Sequence, residues 1–169
     1  MLFYARSDSV EKDYFVKKVL LEDVVHIAIM DYMDSFIQKK ISLDVYNLEN
    51  YVYIDEKWIT FIICQVLQNS IKYLNKPEKI IKIHSENNKN NVVLVIEDNG
   101  EGILDHDLPR VFEYGFTGTD RQKQYSTGIG LYLCKKLCNK MNLDIKIESQ
   151  YKKFTKVKII FPKTNLYRQ

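Results

Sequence analysis

Asp98 stands in the run Glu97-Asp98-Asn99-Gly100-Glu101-Gly102-Ile103. An ionised carboxylate only accepts hydrogen bonds, so a lone aspartate at the mouth of a strand suits the reading of an exocyclic amine. Gly100 and Gly102 permit positive φ and let a ligand approach the backbone closely. Upstream, Gln65-Val66-Leu67-Gln68-Asn69-Ser70-Ile71-Lys72-Tyr73 offers a neutral oxygen at Asn69 and, on the same helix face, a cation at Lys72. Downstream, Ser126-Thr127-Gly128-Ile129-Gly130-Leu131 opens an apolar helix, where backbone N–H groups and the helix dipole favour an anion. A lone D-x-G-x-G is most often an ordinary glycine turn after a strand. Preceded by the asparagine helix and followed by the glycine-rich helix start, it forms a specific combination.

The patterning around these segments says what positions them. Val92 to Ile96 is a short β-branched run that reads as a buried strand delivering Asp98. Asp13 to Leu21 alternates as a strand, and Glu22 to Lys39 gives one wide helical stripe. Ile41 to Tyr46 and Tyr51 to Ile54 read as strands. Asp55 caps the helix that carries Asn69, and Asn75-Lys76-Pro77 ends it. Ile80 to His84 pairs with Val92 to Ile96 through the polar stretch Glu86 to Asn91. Ile103 to Thr127 is long, polar and interrupted by Pro109. Such a loop in a compact domain is usually functional, and the spacing predicts a short helix around Asp107 to Phe112 inside it. Gly128 to Met141 reads as a helix, and Leu143 to Ser149 with Thr155 to Phe161 as a closing hairpin. Strands and helices alternate without regular βαβ spacing. The predicted class is an α/β two-layer sandwich, a mixed sheet with helices packed on one face.

With those residues in place, the chain resembles the catalytic ATP-binding domain of a sensor histidine kinase, of the GHKL superfamily with the Bergerat fold. The resemblance runs from about Leu21 to Pro162. Asn69 lies in what resembles the N box, Asp98 to Gly102 the G1 box, Phe112 to Phe116 the F box and Thr127 to Leu131 the G2 box. The run Phe-Glu-Tyr-Gly-Phe-Thr-Gly at 112–118 is further similar to small-sensor kinases found beside peptide-antibiotic transporters. The resemblance implies ATP and Mg²⁺ as ligands. It makes Asn69 the metal ligand, Asp98 the reader of the adenine 6-amino group, and Tyr73 a residue of the nucleotide pocket. Gly100, Gly102 and Ile103 give the nucleotide room. Thr127, Gly128, Ile129, Gly130 and Leu131 present backbone N–H groups to the phosphates. Phe112 and Phe116 anchor a lid. Lys72 is either a phosphate contact or a solvated lysine, and Arg121 either reaches the γ-phosphate or is a solvated loop charge. Gln65 stands one helical turn before Asn69, where ATP-hydrolysing members of the superfamily carry a glutamate that activates water and histidine kinases usually an asparagine. Glutamine is no general base, so Gln65 argues against efficient hydrolysis and leaves kinase chemistry open.

The 169 residues suit one domain, and 46% hydrophobic with 28% charged residues is ordinary for a globular protein. A net charge of +3 does not argue for nucleic acid. No apolar run is long enough to span a membrane, and the start lacks a signal-peptide pattern. The three cysteines lack metal-site spacing and read as buried, reduced thiols of a cytosolic compartment. Residues 1–10 are expected to be the end of an upstream dimerisation and phosphotransfer helix, 11–163 the ATP-binding domain and 164–169 a frayed tail. None of His26, His84 and His106 stands in the family's phosphoacceptor context. The expected partners are therefore a histidine-bearing helical hairpin outside this chain and a response regulator, with a membrane reached only through absent upstream segments. An anti-sigma-type serine kinase and a non-catalytic docking module remain the alternatives.

Overall fold

The computed structural model describes residues 14–119 and 128–163. Five strands form the main sheet: β2 (Ile41–Tyr46), β4 (Lys79–Asn87), β5 (Asn91–Asp98), β6 (Asp144–Gln150) and β7 (Phe154–Pro162), in the order β2-β4-β5-β7-β6. Only β2 and β4 run parallel; the other neighbours are antiparallel, so the sheet is mixed as expected. A separate two-stranded antiparallel ribbon pairs β1 (Lys17–Leu20) with β3 (Tyr51–Ile54). Helices α1 (Leu21–Asp31), α3 (Glu56–Lys72) and α4 (Gly130–Lys140) supply the second layer, and the short α2 (Met33–Gln38) precedes β2. One core joins them: Ile59, Ile62, Ile63 and Leu67 of α3 and Leu137 of α4 bury themselves against Ile81, Ile83, Leu94, Ile96, Ile145 and Ile159 of the sheet.

β5 is the central strand, and every residue from Val92 to Ile96 is buried. Val92, Leu94 and Ile96 belong to the core, whereas Val93 and Val95 alternate to the other face, where Val95 lies between His84 and Lys158 in the ladder. That outer face carries charge across its full width, since the register aligns Asp44, Lys82, Glu97, Lys156 and Glu148 in one row of alternating sign. Cross-strand pairs of opposite sign stabilise a sheet modestly, and here they clothe the side that no helix covers.

Several sequence expectations need correction. The single helix over Glu22 to Lys39 is two helices, because Tyr32 leaves helical geometry at φ −111°. The second piece buries Phe36, while Ile27 and Ile37 of the supposed stripe are exposed. The helix around Asp107 to Phe112 is only one 3₁₀ turn, Leu108–Arg110, with Pro109 inside it. The closing helix starts at Gly130 rather than Gly128, and it stops where Asn142 takes positive φ. His84 sits within β4, not at its end, and its ring stacks on Tyr46 with centroids 4.8 Å apart.

Among the described residues no helix is long and apolar enough to cross a membrane. Cys64, Cys134 and Cys138 are all free thiols, the last two buried on α4.

Candidate functional site

α3 is set by its ends and its stripe. Asp55 at the N-cap accepts hydrogen bonds from the backbone N–H groups of Lys57 and Trp58 at 3.0 and 3.2 Å. The apolar stripe of Trp58, Ile62, Val66 and Ile71 turns inward. Gln65, Asn69 and Lys72 therefore share the edge of the helix that borders a cavity of about 340 Å³. Tyr73, the C-cap residue, closes that row and also lines the cavity.

Asp98 ends β5 at the same cavity and is only 4% exposed. Its Oδ1 accepts the Gly100 N–H at 2.9 Å, and the Ser70 hydroxyl also bonds the carboxylate. Burial pushes the Asp98 carboxyl up to about 6, with the Gly100 and Ser70 hydrogen bonds pulling the other way. Asn99 fixes the strand exit beside it: its Oδ1 accepts the Ile80 N–H and its Nδ2 donates to the Glu78 carbonyl, both at 2.9 Å.

The glycine turn is clamped on two sides. The Glu101 N–H donates to the Tyr73 carbonyl at 3.0 Å, and the Glu101 carbonyl accepts from Lys152 N–H in the β6–β7 turn. The Ser149 hydroxyl accepts the Ile103 N–H at 2.8 Å and donates to the Phe154 carbonyl at 2.7 Å. Gly102 takes φ +71° with its missing side chain directed at the Gln150 carbonyl, so any Cβ there would collide with backbone. Gly100 does not line the cavity; a Cβ on it would stand 2.6 Å from the Tyr73 carbonyl oxygen, so it serves the packing of the turn.

At the opposite end lie Gly128, Gly130 and Leu131. Gly128, at φ +66°, accepts the Gly115 N–H on its carbonyl at 3.1 Å, which ties the loop to the start of α4. A Cβ on Gly130 would meet Gln65 Oε1 at 2.7 Å, so the glutamine side chain occupies the space beside the first turn of α4. Ile129 is the N-cap residue of α4 and, like Phe112, is not part of the cavity wall. Phe112 instead packs against the core, while Phe116 lines the cavity with the Arg110 guanidinium 4.3 Å from its ring centroid. Ile103 joins the wall too. Arg121 and Thr127 lie outside the described residues.

Of the residues singled out by the sequence reading, the structure brings Gln65, Asn69, Lys72, Tyr73, Asp98, Gly102, Ile103, Phe116, Gly128, Gly130 and Leu131 to one cavity. The sequence reading missed Ser70, a small hydroxyl beside Asn69 whose bond to Asp98 is a tertiary fact. It also missed Thr155, Val157 and Ile147, which line the site from β6 and β7. Thr155 is the direct partner of Asp98 in the β5–β7 ladder, so register alone could have found it once the two strands were paired. Asp107 went unnoticed as well. It is buried on the cavity wall, and its Oδ2 accepts the backbone N–H and hydroxyl of Thr119, both at 3.2 Å.

A buried acceptor at one end, a helix start rich in glycine at the other and an asparagine between them form a site for an elongated ligand with an amine and an anionic tail. The family model for histidine kinase-, DNA gyrase B- and HSP90-like ATPases matches residues 54–165. The chain is 38% identical over 165 residues to the sensor protein BceS of Halalkalibacterium halodurans, covering 97% of this chain and 49% of that protein. It is 36% identical over 166 residues to the sensor protein kinase GraS of Staphylococcus aureus, covering 97% and 47%. The chain thus spans about half the length of the curated relatives it matches. In fold it superimposes on the catalytic domain of the histidine kinase ThkA with a TM-score of 0.75 at 20% identity, covering 88% of this chain and 98% of that one. The Acinetobacter baumannii histidine kinase AdeS gives the same TM-score at 22% identity, covering 95% and 76%. With its mixed sheet, its helical layer and the matched region containing the whole cavity, the chain belongs to the family of histidine kinase-, DNA gyrase B- and HSP90-like ATPases.

Proposed function

We propose that this chain is the catalytic half of a two-component sensor histidine kinase. It binds ATP and delivers the γ-phosphoryl group to a histidine on a helical hairpin outside the chain, for relay to a response regulator. The supporting observation is the single cavity that joins Asp98, Asn69 and the glycine-rich start of α4. Asp98 accepts a hydrogen bond from the adenine 6-amino group, which the 6-carbonyl of guanine cannot supply. The first turn of α4 offers N–H groups to the phosphates. Lys72 also lies on the cavity edge of α3, its ammonium 5.5 Å from the centroid of the Tyr73 ring.

Among the described residues no group of three or more His, Cys, Asp or Glu is placed to hold a metal ion. Asn69, a neutral oxygen donor on the cavity wall, therefore fits a Mg²⁺ that arrives with the nucleotide rather than a resident ion. When bound, such an ion neutralises phosphate charge. The chain itself orients the nucleotide and excludes water, and phosphoryl transfer needs little more than position and charge compensation. Gln65 has no proton-accepting group, and none of the three histidines lines the cavity. The acceptor therefore comes from a partner, and the whole kinase is attached to a membrane through segments outside this chain.

Incubation with γ-labelled ATP, with and without a histidine-bearing hairpin of the sensor-kinase type, tests the proposal. The chain alone is expected to stay unlabelled and to turn ATP over negligibly. The added hairpin should acquire an acid-labile, base-stable phosphate. An acid-stable product would instead mark a serine kinase, and ATP binding without any transfer would mark a docking module.

A further inference from the structure

We infer that Tyr151, in the turn between β6 and β7, is a base-contacting residue of the nucleotide site and a determinant of its purine affinity. The inference rests on the nucleotide reading of the cavity. Tyr151 lies on the cavity wall yet is 38% exposed, the condition of an aromatic ring at a pocket mouth. Backbone contacts hold its turn there, and the Lys152 ammonium lies 5.5 Å from the centroid of its ring. Lys152 N–H donates to the Glu101 carbonyl, and Gly102 approaches so closely that a Cβ on it would stand 2.9 Å from Tyr151 Cα.

The same peptide locates the end of the site. Glu101 donates to the Tyr73 carbonyl with its N–H and accepts from Lys152 with its carbonyl. Tyr73 and Tyr151 are thereby brought to the two flanks of the Glu101 peptide, and both line the cavity. The anion end is remote from them. Gln65, which meets Gly130, lies about 12 Å before Tyr73 along α3 at 1.5 Å per residue. A ring at this position touches the base and not the phosphates. An aromatic face contributes to base binding whatever the phosphate chain carries, and its loss typically weakens stacking severalfold to a hundredfold. A tyrosine in a tight hairpin turn gave no signal in the sequence, because the four family boxes do not extend to it.

The test measures binding of AMP, ADP and ATP to the native chain, Tyr151→Ala, Tyr151→Leu and Tyr151→Phe, with thermal melting as the check on folding. Tyr151→Ala is expected to raise the Kd of all three nucleotides by a common factor of about ten, Tyr151→Leu by a similar factor, and Tyr151→Phe by less than about twofold. Should Tyr151→Ala not fold, Tyr151→Leu carries the same expectation. Native affinity for AMP in a folded Tyr151→Ala or Tyr151→Leu chain overturns the inference, and so does a loss confined to ATP. A native chain that binds none of the three nucleotides instead overturns the proposed function.

Discussion

Asp98 is a carboxylate kept in an environment that opposes its charge. Its pKa, raised to about 6 by burial, means that the folded state holds the proton more tightly than the unfolded chain does. The associated stability is present below the unfolded value near pH 4 and is lost as pH rises through about 6, a swing of about 3 kcal/mol at 1.36 kcal/mol per unit. Asp98→Asn abolishes that swing. Urea unfolding of the variant, compared with the native chain at pH 4 and pH 7, should show the variant gaining relative stability at the higher pH while losing adenine binding. Function runs in the opposite direction. Only the ionised carboxylate accepts the amine without competition from its own proton, so adenosine, which carries no titrating phosphate, should bind progressively more weakly below about pH 6. Titration calorimetry across pH 5 to 8 measures this, and a flat profile would count against Asp98 as the adenine reader. GTP should bind the native chain far more weakly than ATP at pH 7.5; equal affinities would sink the same assignment. The Asp98 carboxylate was legible in the sequence because type and spacing were enough. Ser70, which bonds it, was not, since a serine on a helix says nothing of the strand end opposite.

At the scale of elements, the glycine turn is a hinge point locked from both sides, by the C-cap of α3 and by the β6–β7 turn. Gly102→Ala combines a strained φ of +71° with a Cβ driven against the Gln150 carbonyl. It should cost at least about 2 kcal/mol in chemical denaturation and displace the hairpin that carries Tyr151. The loop after it is held differently. Asp107 gathers Thr119, Gly115 reaches Gly128, and only a single 3₁₀ turn interrupts it. With so little regular structure, the amides of residues 104–118 should exchange quickly without ligand and slow on addition of ATP and Mg²⁺. No change in hydrogen exchange there, with binding established, would remove the loop from the nucleotide site. Strand positions were readable from alternation and β-branching, and the cap at Asp55 from its chemistry. The break at Tyr32 was not, because neither glycine nor proline marks it and the decision lies in the burial of Phe36. Both strands of the β1–β3 ribbon were readable, but their pairing apart from the main sheet was not, since each is four residues long and the pairing is non-local.

At the scale of the whole molecule, one consequence follows from where the thiols lie. Burial lifts Cys64 to about 11, Cys138 to about 12 and Cys134 further still. At neutral pH each presents roughly a hundredfold less thiolate, or lower, than an ordinary cysteine, and thiolate is the species that alkylates. Buried Cys134 and Cys138 are therefore nearly silent to maleimides, and half-buried Cys64 reacts far more slowly than an exposed thiol. The β4–β5 turn lies at the far end of β5 from Asp98, about 23 Å away at 3.3 Å per residue, and Lys89 at its tip is exposed. A fluorophore on Lys89→Cys should accordingly attach at one position without removal of the native cysteines, as intact-mass measurement would verify, and leave ATP affinity unchanged. The fold thus comes with a ready-made handle for single-molecule observation of its encounter with a partner.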